Sequence, residues 1–137
     1  MRYLLDVNVL LAFGLREHKF HTRVALWARE LAALNKADFA TCAITELGFL
    51  RVSTHPSAFG YTLDQGKDLL TQIKKTSGLN FTFIPDDQGI SDLPPWVEWA
   101  NQITDGHLSG LAAVQKAVLA TLDEKIPRAF VIPYRLN

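Results

Sequence analysis

Four acidic residues stand where carboxylates are hard to explain as plain surface. Asp6 interrupts the apolar run YLLDVNVLLAF, Glu46 lies in AITELGFL, Asp105 in ITDGHLSGLA and Asp123 in LATLDEK. Burying an unpaired carboxylate costs several kcal/mol. Such a residue either caps the next element or belongs to a site that needs negative charge. Oxygen-only ligands suit a hard divalent cation, Mg²⁺ or Mn²⁺, rather than zinc.

The elements that must position these residues follow from hydrophobic periodicity. Tyr3-Leu4-Leu5 reads as a buried strand and Val7 to Leu15 as a buried helix. His21 to Leu34 is predicted helical, with Val24, Trp27, Leu31 and Leu34 on one face and Arg23, Arg29 and Glu30 on the other. A strand over Asp38 to Thr41 precedes helices over Ile44 to Val52 and Leu63 to Lys75. Phe81 to Ile84 is predicted as a strand ended by Pro85. Pro94-Pro95 suit the first turn of a helix reaching Asn101. A last helix over Gly106 to Ala117 and strands over Val118 to Thr121 and Ala129 to Ile132 complete the order βαα-βαα-βαα-ββ. Strands alternating with helices imply an α/β fold, a mostly parallel five-stranded sheet with helices on both faces.

In such a sheet the carboxyl ends of the strands form one edge, and ligands bind there where strand order reverses. Asp6 and Asp123 follow strands, Glu46 starts the helix after one, and Asp105 reaches the same edge if its helix runs antiparallel to the sheet. Strands one and four must then be neighbours. Like charges ~4 Å apart repel by about 4 kcal/mol per pair at an effective dielectric of ~20, and a divalent cation relieves that repulsion. Each acid also has an ordinary structural alternative. Asp6 is suited to cap a helix, Glu46 to favour a helix dipole, Asp105 to be an N-cap and Asp123 to sit in a turn.

The segments LLDVNVLLA, ITELGFLRV, ITDGHLSGLA and LATLDEKI together resemble the PIN-domain ribonucleases that act as toxins of VapBC-type toxin–antitoxin pairs. The matching segments run from Met1 to about Ile132. The resemblance implies a three-layer α/β/α PIN-like fold and an endoribonuclease dependent on Mg²⁺ or Mn²⁺. Asp6, Glu46, Asp105 and Asp123 would bind the metal and carry catalysis. Asn8 matches the polar residue two after the first acid and Thr104 the hydroxyl residue before the third, supporting or water-holding groups. Around the fourth strand the family often has a glycine and an aromatic residue, and this chain has QKAVLATLDEK instead. One or two ions would hold the scissile phosphate and acidify a water; in-line attack by that water leaves 5′-phosphate and 3′-hydroxyl ends. The resemblance further implies a homodimer and a tight complex with a cognate antitoxin, through which operator DNA is bound.

Composition agrees with a folded chain. The 137 residues suit one domain spanning 1–137, with 48% hydrophobic and 20% charged residues. Fourteen basic residues balance fourteen acidic ones, so no global basic field attracts RNA. A local patch is needed, and Arg16, Lys19 and Arg23, near the loop after the first helix, are candidates for phosphate contacts. His107 reads as a solvated helix-start residue, Asp86-Asp87 as a turn, and Trp96 with Trp99 as core or partner surface. Cys42 cannot form an internal disulfide, being the sole cysteine, and is expected to be buried. No apolar run is long enough for a membrane span, Asp6 and Asn8 interrupt any signal-like region, and a cytoplasmic protein is expected. Two other readings remain open from the residues: a haloacid-dehalogenase-like phosphatase with Asp6 as nucleophile, in which Glu46 would lack a role, and a non-catalytic module that binds operator DNA with its antitoxin.

Overall fold

A computed structural model describes residues 1–134. Five strands, β1 (Arg2–Leu5), β2 (Asp38–Thr41), β3 (Asn80–Phe83), β4 (Ala117–Thr121) and β5 (Phe130–Val131), form one sheet in the order β3-β2-β1-β4-β5. Every pairing is parallel, with Leu4 of β1 opposite both Ala40 and Leu119. The helices are α1 (Val7–Gly14), α2 (His21–Ala33), α3 (Ala43–Thr54), α4 (Leu63–Lys74) and α5 (Ile103–Val114). None of the described helices is long and apolar enough to cross a membrane.

Alternation along the strands divides the core into two layers. Leu5, Phe39 and Ala120 point to the face covered by α1, α2, α3 and α4, where Leu10, Trp27, Phe49 and Ile73 pack. Leu4, Ala40 and Leu119 point to the other face, covered by Leu108, Leu111 and Ala112 of α5. The result is the expected α/β/α sandwich. Cys42 is fully buried in the second layer.

The layers differ from the predicted order in one place. The third unit has a single α-helix, so the sequence of elements is βαα-βαα-βα-ββ. After Pro94 only one turn forms, closed by the Val97 N–H on the Pro94 carbonyl at 3.1 Å. The Glu98 and Trp99 N–H groups then donate to Oε1 of Gln102, at 2.8 and 3.0 Å, and not to carbonyls one turn back. A side chain that competes for backbone donors in this way stops a helix. α5 in turn begins at Ile103 and not at Gly106, with a 3-10 turn over Ala100–Gln102 leading in. Gly106 therefore lies inside the helix, where a Cβ would sit 2.2 Å from Cγ2 of Val97. The glycine lets the 94–102 loop lie across the first turn of α5. Leu34 is 63% exposed and not on the buried face of α2, because the helix ends at Ala33 and Asn35 turns the chain through a left-handed φ of 55°. Trp96 packs on the second core layer, while Trp99 is exposed.

Candidate active site

Successive crossovers run outward from β1 to β2 and β3, and the chain then returns to place β4 on the other side of β1. The order reverses between β1 and β4, where an open parallel sheet forms its ligand crevice. Asp6 is the first residue past β1. It is 7% exposed, with Oδ1 accepting from the Val7 N–H at 2.8 Å and Oδ2 accepting from the Thr121 hydroxyl at 2.8 Å. The residue therefore caps α1 and also stands at the crevice, so the cap does not take it away from the strand-end edge.

Thr121 closes β4 and is fully buried. Besides donating to Asp6, its oxygen accepts from the Asp123 N–H at 3.1 Å and lies 3.4 Å from the Asn8 amide nitrogen. Asn8 also accepts from the Leu122 N–H at 3.3 Å. Asn8 thus supports Asp6 through Thr121 and ties α1 to the chain leaving β4. Periodicity and motif spacing pass over Thr121. The signal that could find it is a hydroxyl residue closing an apolar strand, AVLAT, just ahead of an acid.

Asp105 projects from the first turn of α5 and is partly buried. Burial, then the charges of Asp6 and Asp123, push its carboxyl up to about 6. Asp6 is likewise raised, mainly by burial and in small part by Asp123, against the lowering effect of its two hydrogen bonds. The three aspartates therefore act on one another across the crevice. Asp123 keeps a local role as well, accepting from the Lys125 N–H at 2.9 Å to form a turn.

Glu46 faces differently. It lies in the first turn of α3, and its Oε2 accepts from the Thr41 hydroxyl at 2.6 Å and pairs with the Lys74 ammonium. Glu46 is not among the charges acting on Asp6 or Asp105. A close approach brings its helix to the site: a Cβ on Gly48 would lie 2.6 Å from Cγ2 of Val7, so α3 packs directly on the start of α1.

Other sequence candidates lie elsewhere. Thr104 is exposed and lines a hollow with Ile44 and His107, with no hydrogen bond to the aspartates. His107 is not simply solvated, since its Nε2 pairs with Oδ2 of Asp86 at 2.5 Å. Arg23 is committed to the fold: its Nε donates to the Ile132 carbonyl at 3.0 Å, and its guanidinium lies against Phe20 and Tyr134. Arg16 and Lys19 are exposed, Lys19 over the Phe20 ring.

Among the described residues, no three His, Cys, Asp or Glu side chains stand close enough together to form a ready-made ligand set. The donors nevertheless fit a hard cation in kind. Asp6, Asp105 and Asp123 supply carboxylate oxygens, the kind of donor that a hard divalent cation takes.

No family model matches the chain. Curated relatives do. It is 36% identical to ribonuclease VapC38 of Mycobacterium tuberculosis over 125 residues, 88% of this chain and 84% of that protein. The chain belongs to the VapC ribonuclease family. It is also 33% identical to ribonuclease VapC44 of the same organism, over 92% of this chain and 89% of the relative. Identity to ribonuclease VapC39 is 32%, over 90% and 89%. Among solved structures, VapBC2 from Rickettsia felis, bound to a DNA fragment from its promoter, superposes with a TM-score of 0.56 at 16% identity. That match covers 95% of this chain and 96% of the other, and it supports the VapC fold assigned from the strands.

Proposed function

We propose that this chain is an RNA-cleaving toxin, a hydrolase that cuts phosphodiester bonds as one half of a VapBC-type toxin–antitoxin pair. The observation that carries the reading is the trio Asp6, Asp105 and Asp123 at the reversal point of the sheet, each within electrostatic reach of the others. Membership of a family of ribonucleases supports it.

In this reading Asp6, Asp105 and Asp123 hold Mg²⁺ or Mn²⁺, and Glu46 stands at the rim. When bound, such an ion neutralises phosphate charge and makes water a better nucleophile. The chain's own residues prepare for that chemistry. Thr121 and the Val7 N–H fix both oxygens of Asp6, so its remaining lone pairs have a set direction. Asn8 holds the β4 end in register with α1. Asp105, held up to about 6, gives up its proton when positive charge arrives. The crevice is acidic, so grip on RNA must come from outside it, and exposed Arg16 and Lys19 are placed for this on the loop after α1. The cognate antitoxin silences the site by covering the crevice with an Arg or Lys. The toxin works as a homodimer in the cytoplasm and meets operator DNA only through its antitoxin.

Asp105→Asn tests the reading. Cleavage of RNA should fall by about a thousandfold or more, the effect of losing ~4 kcal/mol of transition-state stabilisation. Circular dichroism should remain that of wild type. A variant that cuts RNA at near the parental rate would sink the proposal.

A further inference from the structure

The hollow that Thr104 lines is a site in its own right. Ile44, Ile90, Leu93 and Ile103 form its apolar wall, and Gln88, Thr104 and His107 supply polar groups. We infer that this hollow receives one unstacked nucleobase of the RNA substrate, next to the bond that is cut, and so helps set where the enzyme cuts. The inference rests on the ribonuclease reading above.

Its place in the chain is the first argument. Thr104 immediately precedes Asp105 in the first turn of α5, and Ile44 shares the first turn of α3 with Glu46. The first turn of α5, which carries Asp105 to the crevice, also walls the hollow, with the first turn of α3 opposite. Thr104 and Asp105 are consecutive in that first turn of α5, so the hollow and the crevice are neighbours along one helix end.

Chemistry is the second. A base has apolar faces and a polar edge, and single-stranded RNA is read by bases that are splayed out, packed on their faces and hydrogen-bonded at their edges. The hollow offers aliphatic side chains for the faces. For the edge it offers the Thr104 hydroxyl, the Gln88 carbonyl oxygen, whose amide nitrogen is taken by Asp87, and Nδ1 of His107. Its volume of about 250 Å³ is below the ~300–1,000 Å³ of clefts for drug-sized ligands, and suits one ring system.

The hollow is also braced. Asp86 accepts from the Gln88 N–H at 3.1 Å through one oxygen and pairs with His107 of α5 through the other. The Gly89 N–H donates to Asp92 at 2.8 Å. The loop after β3 is thereby pinned to α5, and a pre-formed pocket spares the binding step an ordering cost.

Two substitutions probe it without touching the acids. Gly89 lines the hollow, with a φ of −116° and open space where a Cβ would go, so Gly89→Phe places a bulky ring at its mouth without backbone strain. Ile90 is 91% exposed, so Ile90→Ala enlarges the hollow without opening the core. Cleavage is measured on a short RNA with a mapped cut, in a series where one nucleotide at a time is abasic. For the wild type, removing the base at one position beside the cut should lower kcat/KM by about tenfold. For Gly89→Phe that penalty should vanish, and for Ile90→Ala it should shrink. An equal penalty in all three proteins overturns the inference and leaves the ribonuclease intact. So does a Gly89→Phe protein that keeps the penalty but loses antitoxin affinity, which would assign the hollow to the partner protein. Absence of any cleavage dependent on Asp105 removes the ribonuclease reading and this assignment together.

Discussion

Two strand ends in this molecule carry the same device with opposite electrostatics. At the end of β4, fully buried Thr121 gives its hydroxyl to Asp6; at the end of β2, fully buried Thr41 gives its hydroxyl to Glu46. In both, a threonine that suits a buried strand also fixes the direction of a carboxylate. The surroundings then differ. Asp6 shares its side of the crevice with the like charges of Asp105 and Asp123, whereas Glu46 has the ammonium of Lys74. One side stores repulsion and the other is already neutralised. A site with stored repulsion has most to gain from a divalent ion, so the two sides should answer metal differently.

The largest expected contrast is in metal-linked stability. An ion at about a hundred times its Kd stabilises the folded state by about 2.7 kcal/mol, roughly 8 °C in Tm for a chain of this size. The wild type should show such a rise in Mn²⁺ over chelator. Asp105→Asn should lose most of it, and Glu46→Gln should keep more than half. Equal losses in the two variants would make Glu46 a full partner of the aspartates and erase the contrast.

The threonines sharpen it at a smaller scale. Thr121→Val keeps the shape but strips Asp6 of a donor and leaves the Asp123 N–H without its acceptor. Loss of a buried partner costs about 1–3 kcal/mol, and loss of a group that orients a metal ligand costs ~10–100-fold in activity. Thr41→Val leaves Glu46 its bond to Lys74, so less than ~1 kcal/mol and only a few-fold in cleavage should follow. Urea melts and cleavage rates of the pair decide the matter; a Thr41→Val defect as large as that of Thr121→Val would contradict it.

Much of this arrangement could be read from the residues, and the misses have physical causes. The strand-helix alternation and the parallel sheet follow from short apolar runs and the connections they permit, and the adjacency of β1 and β4 follows from requiring the acids to share one edge. Asp6 stands out in the sequence because it breaks an apolar run. The pairing of Glu46 with Lys74 spans 28 residues and depends on how α4 packs on α3, which periodicity does not encode. Thr121 is hidden by being a good strand residue. The bond of Arg23 to a carbonyl 109 residues away is likewise purely tertiary, and no local pattern announces it. The helix expected after Pro94-Pro95 fails through one side chain, Gln102, whose reach back to the backbone no spacing rule anticipates.

The smallest expected effect is the dependence of metal-free stability on pH, and it belongs to the aspartate side. Asp105 is raised to about 6 in the fold from 3.8 when free, and Asp6 is raised in the same direction. The folded state therefore holds protons that the unfolded chain releases. The stability these groups contribute is fully present below 3.8 and is lost as the pH rises through about 6. A fully buried carboxyl would lose ~1.4 kcal/mol for each tenfold difference in proton affinity between the folded and unfolded chain. Asp105 should lose less, because solvent screens a partly exposed carboxyl. Asp105→Asn removes the titrating group, so its stability relative to wild type should climb between about pH 4 and pH 7. Saturating Mn²⁺ should cancel that climb by favouring the ionised wild-type carboxylate. Glu46→Gln at neutral pH should be less stable than wild type by up to ~1 kcal/mol, having lost its ion pair. Urea denaturation in chelator across this range gives the curves. Wild type and Asp105→Asn running parallel would mean that the aspartates do not repel one another in the folded protein. The distinction between a frustrated and a satisfied strand end would then have no energetic content.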